Sequence, residues 1–306
     1  MKRRSIMAAG VLVAALTLAF TDVAAATTPD WLTTLLGRVL TKERTPDEAW
    51  ASLAPYVDLR LPADQAPGSK APLVVLAPGC YGWLAKSEHW RSVLLGAGFA
   101  VLHVDSFAAR GLREPREIGA VVCDGKGVFG FERAGDIALA LDRHPFPPGV
   151  DTSRVGLAGW SHGGWAVWSL VNFAAQDRTP PGLSAWPRPD PARFRAVVAV
   201  YPYCGFGSHS WSPKGAVAPP SLLVFAGRDE NVDSEPCRQR AAAARAGGSK
   251  VEILEFPNAT HWFDQPGDFD LLPHVFDGDA TRVLEERMLN HLRRTLGPTG
   301  ADSNPR

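Results

Sequence analysis

A chain of 306 residues that is 45% hydrophobic and 21% charged has a globular make-up, with length for one large core or two small ones. Its 32 basic and 32 acidic residues balance. With no basic stripe and no acidic run, the sequence argues against a nucleic-acid partner and against a charged disordered tail.

Lys2, Arg3 and Arg4 precede an apolar run over 6–20, and Ala24-Ala25-Ala26 follow it. That is the layout of a secretory signal peptide. The run is shorter than the ~18–20 residues a membrane span needs. Residues 1–26 are therefore expected to be removed, leaving a secreted or periplasmic protein with no membrane association. Arg3-Arg4 does not choose an export route, and no Cys follows the run to take a lipid. The remainder would carry 29 basic and 31 acidic residues, so an anionic partner would have to be held by local charge.

A short amphipathic helix is expected over 31–40 and an early strand over 56–61, followed by a turn-rich connector over 62–72. Short, nearly all-apolar runs at 73–77, 100–104, 155–158, 196–200, 222–225 and 251–256 read as strands buried on both faces. Helical patterns at 88–95, 132–142, 164–173, 235–246 and 281–296 lie between or after them. This alternation predicts an α/β fold, with a mostly parallel central sheet and helices on both faces. We read 27–297 as one domain and 298–306 as a flexible tail. Two long loops, 174–191 with five prolines and 204–220 with His209 and Trp211, are expected beside strand ends, where ligand sites form.

Gly159-Trp160-Ser161-His162-Gly163 fits the G-x-S-x-G nucleophile elbow, with a predicted strand before it and a helix after it. Such a turn strains the serine backbone and lifts the hydroxyl above the sheet, at a helix N-terminus that favours negative charge. A serine hydroxyl needs a base, and the base needs an orienting acid. In the order Ser, acid, His, the partners are Asp229 in Gly227-Arg228-Asp229 and His261 in Ala259-Thr260-His261. Asp233 is the alternative acid. His103 sits inside a strand, and His89, His144, His209, His274 and His291 lack the order or the strand-end placement.

The oxyanion donors are expected to be the backbone N–H of His162 and that of Cys80 or Tyr81, in Pro78-Gly79-Cys80-Tyr81-Gly82. Tyr81, Tyr203 and Trp211 are the candidates for lining a substrate pocket. No zinc-type spacing and no phosphate-binding loop is present, so neither metal nor nucleotide is expected. Four cysteines in an exported chain suggest bridges, and spacing alone leaves three pairings open.

Pro-Gly-Cys-Tyr-Gly at 78–82, Asp105-Ser106-Phe107 with Arg110-Gly111, Gly-Trp-Ser-His-Gly-Gly at 159–164, Tyr201-Pro202-Tyr203-Cys204, Gly227-Arg228-Asp229 and Ala259-Thr260-His261 together resemble the dienelactone hydrolase family of α/β-hydrolases. The resemblance spans roughly 73–261. It implies cleavage of a small-molecule ester or lactone without metal or organic cofactor. Ser161 stands where the named family members carry Cys, which points to the carboxylesterase-like relatives. Pro78 replaces a common His, and export is unlike the cytoplasmic lactone hydrolases. The family's sheet order implies that the strands ending before Cys80 and Cys123 are neighbours, and likewise those ending before Cys204 and Cys237. The resemblance thus implies the pairs Cys80–Cys123 and Cys204–Cys237. The alternatives are a serine peptidase on the same fold and a catalytically silent binding protein.

Overall fold

The computed structural model describes residues 30–205, 207–208, 218–267 and 274–297. The proposed signal peptide, His209, Trp211 and the tail lie outside the described residues.

The apolar runs become the centre of one seven-stranded sheet. Its strands are β1 (Val57–Arg60), β2 (Ala71–Ala77), β3 (Ala100–Val104), β4 (Val150–Trp160), β5 (Phe194–Val200), β6 (Ser221–Arg228) and β7 (Val251–Thr260). Their order is β1-β3-β2-β4-β5-β6-β7. β1 is antiparallel to β3, and every other pairing is parallel. Alternation splits each inner strand between two cores. Leu73, Val75 and Ala77 of β2 enter one core, while Val74 and Leu76 enter the other. Where both faces are covered, an inner strand leaves few positions for a polar residue, which is why its central part reads as an apolar run.

The first core is closed by α2 (Pro46–Leu53), α5 (Gly130–Arg143), α6 (His162–Ala175) and α7 (Glu235–Ala246). The second is closed by α3 (Ala85–Gly96) and α8 (Gly278–Leu296), through Trp90, Leu94, Leu284, Met288 and Leu292. α1 (Asp30–Leu40) precedes them, and α4 (Pro115–Val122) lies between β3 and α5.

α2 and α4 were not expected. Each has eight residues, only about two turns over which a pattern can repeat. α2 still carries a local signal: Thr45 Oγ1 accepts the Glu48 N–H at 3.3 Å, and the Glu48 carboxylate accepts the Thr45 N–H at 2.8 Å. This reciprocal cap satisfies two N–H groups that have no partner inside the helix. β7 runs four residues past its apolar stretch. It is an edge strand with only β6 beside it, and the side chains of Pro257 and Asn258 in its outer half are exposed, so that half carries no apolar pattern.

The 174–191 loop is not beside the elbow's strand ends as expected. It leaves the end of α6 and returns at the start of β5, the opposite edge of the sheet. Its middle is tied to the N-terminal segment, with the Arg44 N–H donating to the Gly182 carbonyl and the Ser184 N–H to the Arg44 carbonyl. Among the described residues no helix is long and apolar enough to cross a membrane.

Candidate active site

Three strand ends deliver the predicted groups to one edge of the sheet. β4 ends at Trp160, and Ser161 follows with φ 53° and ψ −116° before α6 begins. This backbone conformation is rare for a side-chain-bearing residue. It is held by the Ser161 N–H donating to the Val200 carbonyl at 2.9 Å, and by its own carbonyl accepting from Trp165 and Tyr203. The flanking glycines are steric requirements: a Cβ on Gly159 would lie 2.3 Å from the Gly163 carbonyl oxygen, and one on Gly163 would lie 2.0 Å from that of Ala77.

Asp229 follows β6, and its Oδ1 accepts the N–H groups of Asn231 and Val232, both at 2.9 Å. That turn fixes the carboxylate and leaves Oδ2 to meet His261 Nδ1 at 2.7 Å. Nε2 of His261, just beyond β7, lies 3.1 Å from Ser161 Oγ. A carboxylate can only accept, so Nδ1 carries the proton and Nε2 is left to accept from the hydroxyl. Burial lowers the His261 pKa below its ordinary value, against the opposing pull of Asp229. The neutral ring is the favoured form. Asp233 is elsewhere engaged, its Oδ1 accepting the Glu235 N–H at 2.9 Å at the start of α7.

His162 opens α6, and the first N–H groups of a helix have no carbonyl four residues back to bond. Its ring points elsewhere: Nδ1 lies 3.0 Å from Arg133 of α5. Burial and that guanidinium push its pKa well below the ordinary value, so the ring is neutral and accepts. Among the described residues no backbone carbonyl takes the Cys80 N–H. The preceding Gly79 Cα lies close against Trp160 and Ser161, since a Cβ there would sit 3.7 Å from Ser161 Cβ.

The Tyr81 ring meets Trp262 edge-on with centroids 5.1 Å apart, and Tyr203 packs on Trp165 at 5.1 Å. Both tyrosines thus neighbour residues of the site. Cys80 bonds Cys123, and Cys204 bonds Cys237. As the resemblance implied, the strands that precede the two cysteines of each pair are neighbours, β2 beside β3 and β5 beside β6. Cys123 caps the end of α4, and Cys237 lies in the first turn of α7. The bridges tie helices, not strands, to the loops after β2 and β5.

A buried polar cluster behind His261 was not read from the sequence. Asp264 accepts from Trp90 Nε1 at 2.7 Å, Trp160 Nε1 at 2.8 Å and Tyr201 OH at 2.5 Å. Lys86 Nζ donates to Tyr201 OH at 2.8 Å. These residues come from four separate parts of the chain, so no motif links them. A cavity of about 770 Å³ opens at the other edge of the sheet, among Phe194, Pro220, Lys250 and His291, and holds none of the groups above.

No family model matches the chain. It is 25% identical over 203 residues to the uncharacterized peptidase YuxL of Bacillus subtilis (strain 168), covering 58% of this chain and 29% of that protein. The chain therefore spans under a third of the length of that curated relative. A Klebsiella pneumoniae protein assigned as a dienelactone hydrolase superposes with a TM-score of 0.55 at 16% identity, over 78% of this chain and 99% of that one. Esterase 2 of Thermogutta terrifontis, phosphonylated by cyclosarin, superposes at 0.53 with 18% identity, over 79% and 89%. The chain has the α/β-hydrolase fold. At these identities the likeness establishes architecture, and the α/β-hydrolase fold hosts many chemistries.

Proposed function

We propose that this α/β-hydrolase is an exported serine hydrolase that cleaves a carboxylic ester or lactone through an acyl-enzyme, with Ser161, His261 and Asp229 as its catalytic triad. One observation carries the proposal: Asp229, His261 and Ser161 are hydrogen-bonded in series at a strained strand-to-helix turn. His261 Nε2 takes the hydroxyl proton as Ser161 Oγ attacks the carbonyl carbon. Asp229 holds the tautomer and stabilises the imidazolium. The N–H groups of His162 and of Cys80 or Tyr81 receive the oxyanion, each worth ~10²–10³ in rate. His261 then returns the proton to the leaving alcohol, and water, activated the same way, frees the acyl group.

The structural relatives include a dienelactone hydrolase and an esterase, whose names support an ester, and also peptidases, whose names support an amide. The peptidase name of the curated relative supports the second reading, a serine peptidase. Two disulfides among the described residues favour an oxidising compartment, in keeping with export. A panel of p-nitrophenyl esters of rising chain length, lactones and peptide p-nitroanilides decides between them. Ester or lactone turnover with inert anilides is expected, and dominant anilide cleavage would establish the peptidase. Absence of fluorophosphonate labelling at Ser161 would leave a silent binding protein.

A further inference from the structure

Lys86 is the second residue of α3 and is 2% exposed. A cation at a helix N-terminus is opposed by the helix dipole, and burial adds a desolvation cost. An apolar side chain of similar length would avoid both costs. Lys86 instead reaches a single arrangement. Its Nζ bonds Tyr201 OH, stands 3.9 Å from Asp264 Oδ1, and lies over the Trp262 ring at 4.5 Å.

The other members of the cluster surround the base. The Tyr201 ring lies 4.4 Å from the His261 ring, centroid to centroid. Tyr201 keeps a φ of 34°, strained for a residue with a side chain, and its N–H donates to the Val224 carbonyl at 2.7 Å. Its hydroxyl is bound from both sides, accepting from Lys86 and donating to Asp264. Asp264 follows His261 by three residues and also holds Trp160, the neighbour of Ser161.

We propose that Lys86, Tyr201 and Asp264 are positioning residues for His261. Tyr201 clamps one flank of the imidazole, and Lys86 cancels the charge that Asp264 would otherwise present to it. The proposal rests on His261 being the base of a serine hydrolase. The charged and titratable groups facing His261 are Asp229 from the end of β6, Ser161 from the elbow, Tyr201 from the end of β5, Lys86 from α3 and Asp264 from its own turn. Of these, Asp229 and Asp264 favour the imidazolium, while Lys86 opposes it.

The test compares Lys86→Met, Asp264→Asn and the double variant. Each is read by the NMR titration of His261, assigned by loss of its signal in His261→Asn, and by the acid limb of kcat/KM on an ester. Lys86→Met should raise the His261 pKa by about one unit, and Asp264→Asn should lower it by a similar amount. The double variant should return near the parent, and the acid limbs should follow. A merely structural role would not move the two single variants in opposite directions. A parent-like His261 titration in folded Lys86→Met overturns the proposal, as does a moved titration with an unmoved acid limb. Where Lys86→Met does not fold, the sign of the Asp264→Asn shift decides. Ester turnover surviving in Ser161→Ala would instead overturn the serine-hydrolase reading, and the NMR titration would still report the coupling of Lys86 to His261.

Discussion

Nε2 of His261 stands 3.1 Å from Oγ of Ser161 although 100 positions separate them in the chain. The contact depends on two strands, β4 and β7, that do not touch each other. β5 and β6 lie between them, and the turn after β7 has to reach back across both. Such a contact is fragile to anything that shifts the sheet edge, and it is cheap to interrogate by deletion of single atoms.

Ser161→Ala removes only the hydroxyl. It should lower kcat by ~10⁴–10⁶ while leaving the unfolding midpoint within a few degrees. Steady-state kinetics on the best ester from the panel, beside thermal unfolding, checks both halves. Activity within tenfold of the parent would contradict the nucleophile assignment.

Asp229→Asn keeps the size and most of the turn geometry but lets Nδ1 lose its proton-accepting partner. The wrong tautomer is then favoured, and kcat should fall by about 10⁴. Asp233→Asn should stay within a few fold, because Asp233 caps the start of α7 instead of holding the imidazole. Equal losses in the two variants would mean the acid is misassigned.

Protonation should destabilise the fold on the acid side. Burial pushes His103 down to about 3, with Arg133 and Arg91 adding to it, and also lowers His162 and His261 from their ordinary 6.5. The unfolded chain takes up these protons as pH falls through 6.5, while the folded chain resists them. The stability held by the neutral rings is complete above 6.5 and drains away toward about 3. Urea unfolding at pH 7.5, 5.5 and 4.5 should show a falling midpoint. By the same sign, the acid limb of kcat/KM should lie below pH 6.5, and a limb above it would contradict a buried neutral base.

The Cys204–Cys237 bridge closes a separation of 33 residues. In the chain-entropy model that stabilises by roughly 3–4 kcal/mol. Replacing both cysteines by Ala should lower the unfolding midpoint by roughly 10 °C in a chain of this size. Differential scanning calorimetry under non-reducing conditions measures it. An unchanged midpoint would show that the denatured state gains little from the cross-link.

Local chemistry made much of this protein legible. Burial on both faces makes the inner strands apolar over most of their length, so β2, β3 and β5 stood out as runs despite His103 in β3 and Arg195 in β5. The elbow is a backbone problem solved within five residues, where only glycine fits at 159 and 163. Asp229 and His261 were named from chain order, since each strand end offers few chemically able side chains, and the fold brings both into hydrogen-bond reach in series with Ser161. α2 and α4 were missed because eight residues offer only about two turns of pattern, and the far half of β7 because Pro257 and Asn258 there are exposed and need not be apolar.

Tertiary structure alone decided which strand ends meet, which helices the disulfides fasten, and that Asp264 gathers Trp90, Trp160 and Tyr201 beside Lys86. Hydrogen bonds and charge pairs of that kind act over a few ångströms between segments far apart in sequence. They leave no periodicity and no spacing to read, so they become visible only when the sheet has brought their elements together.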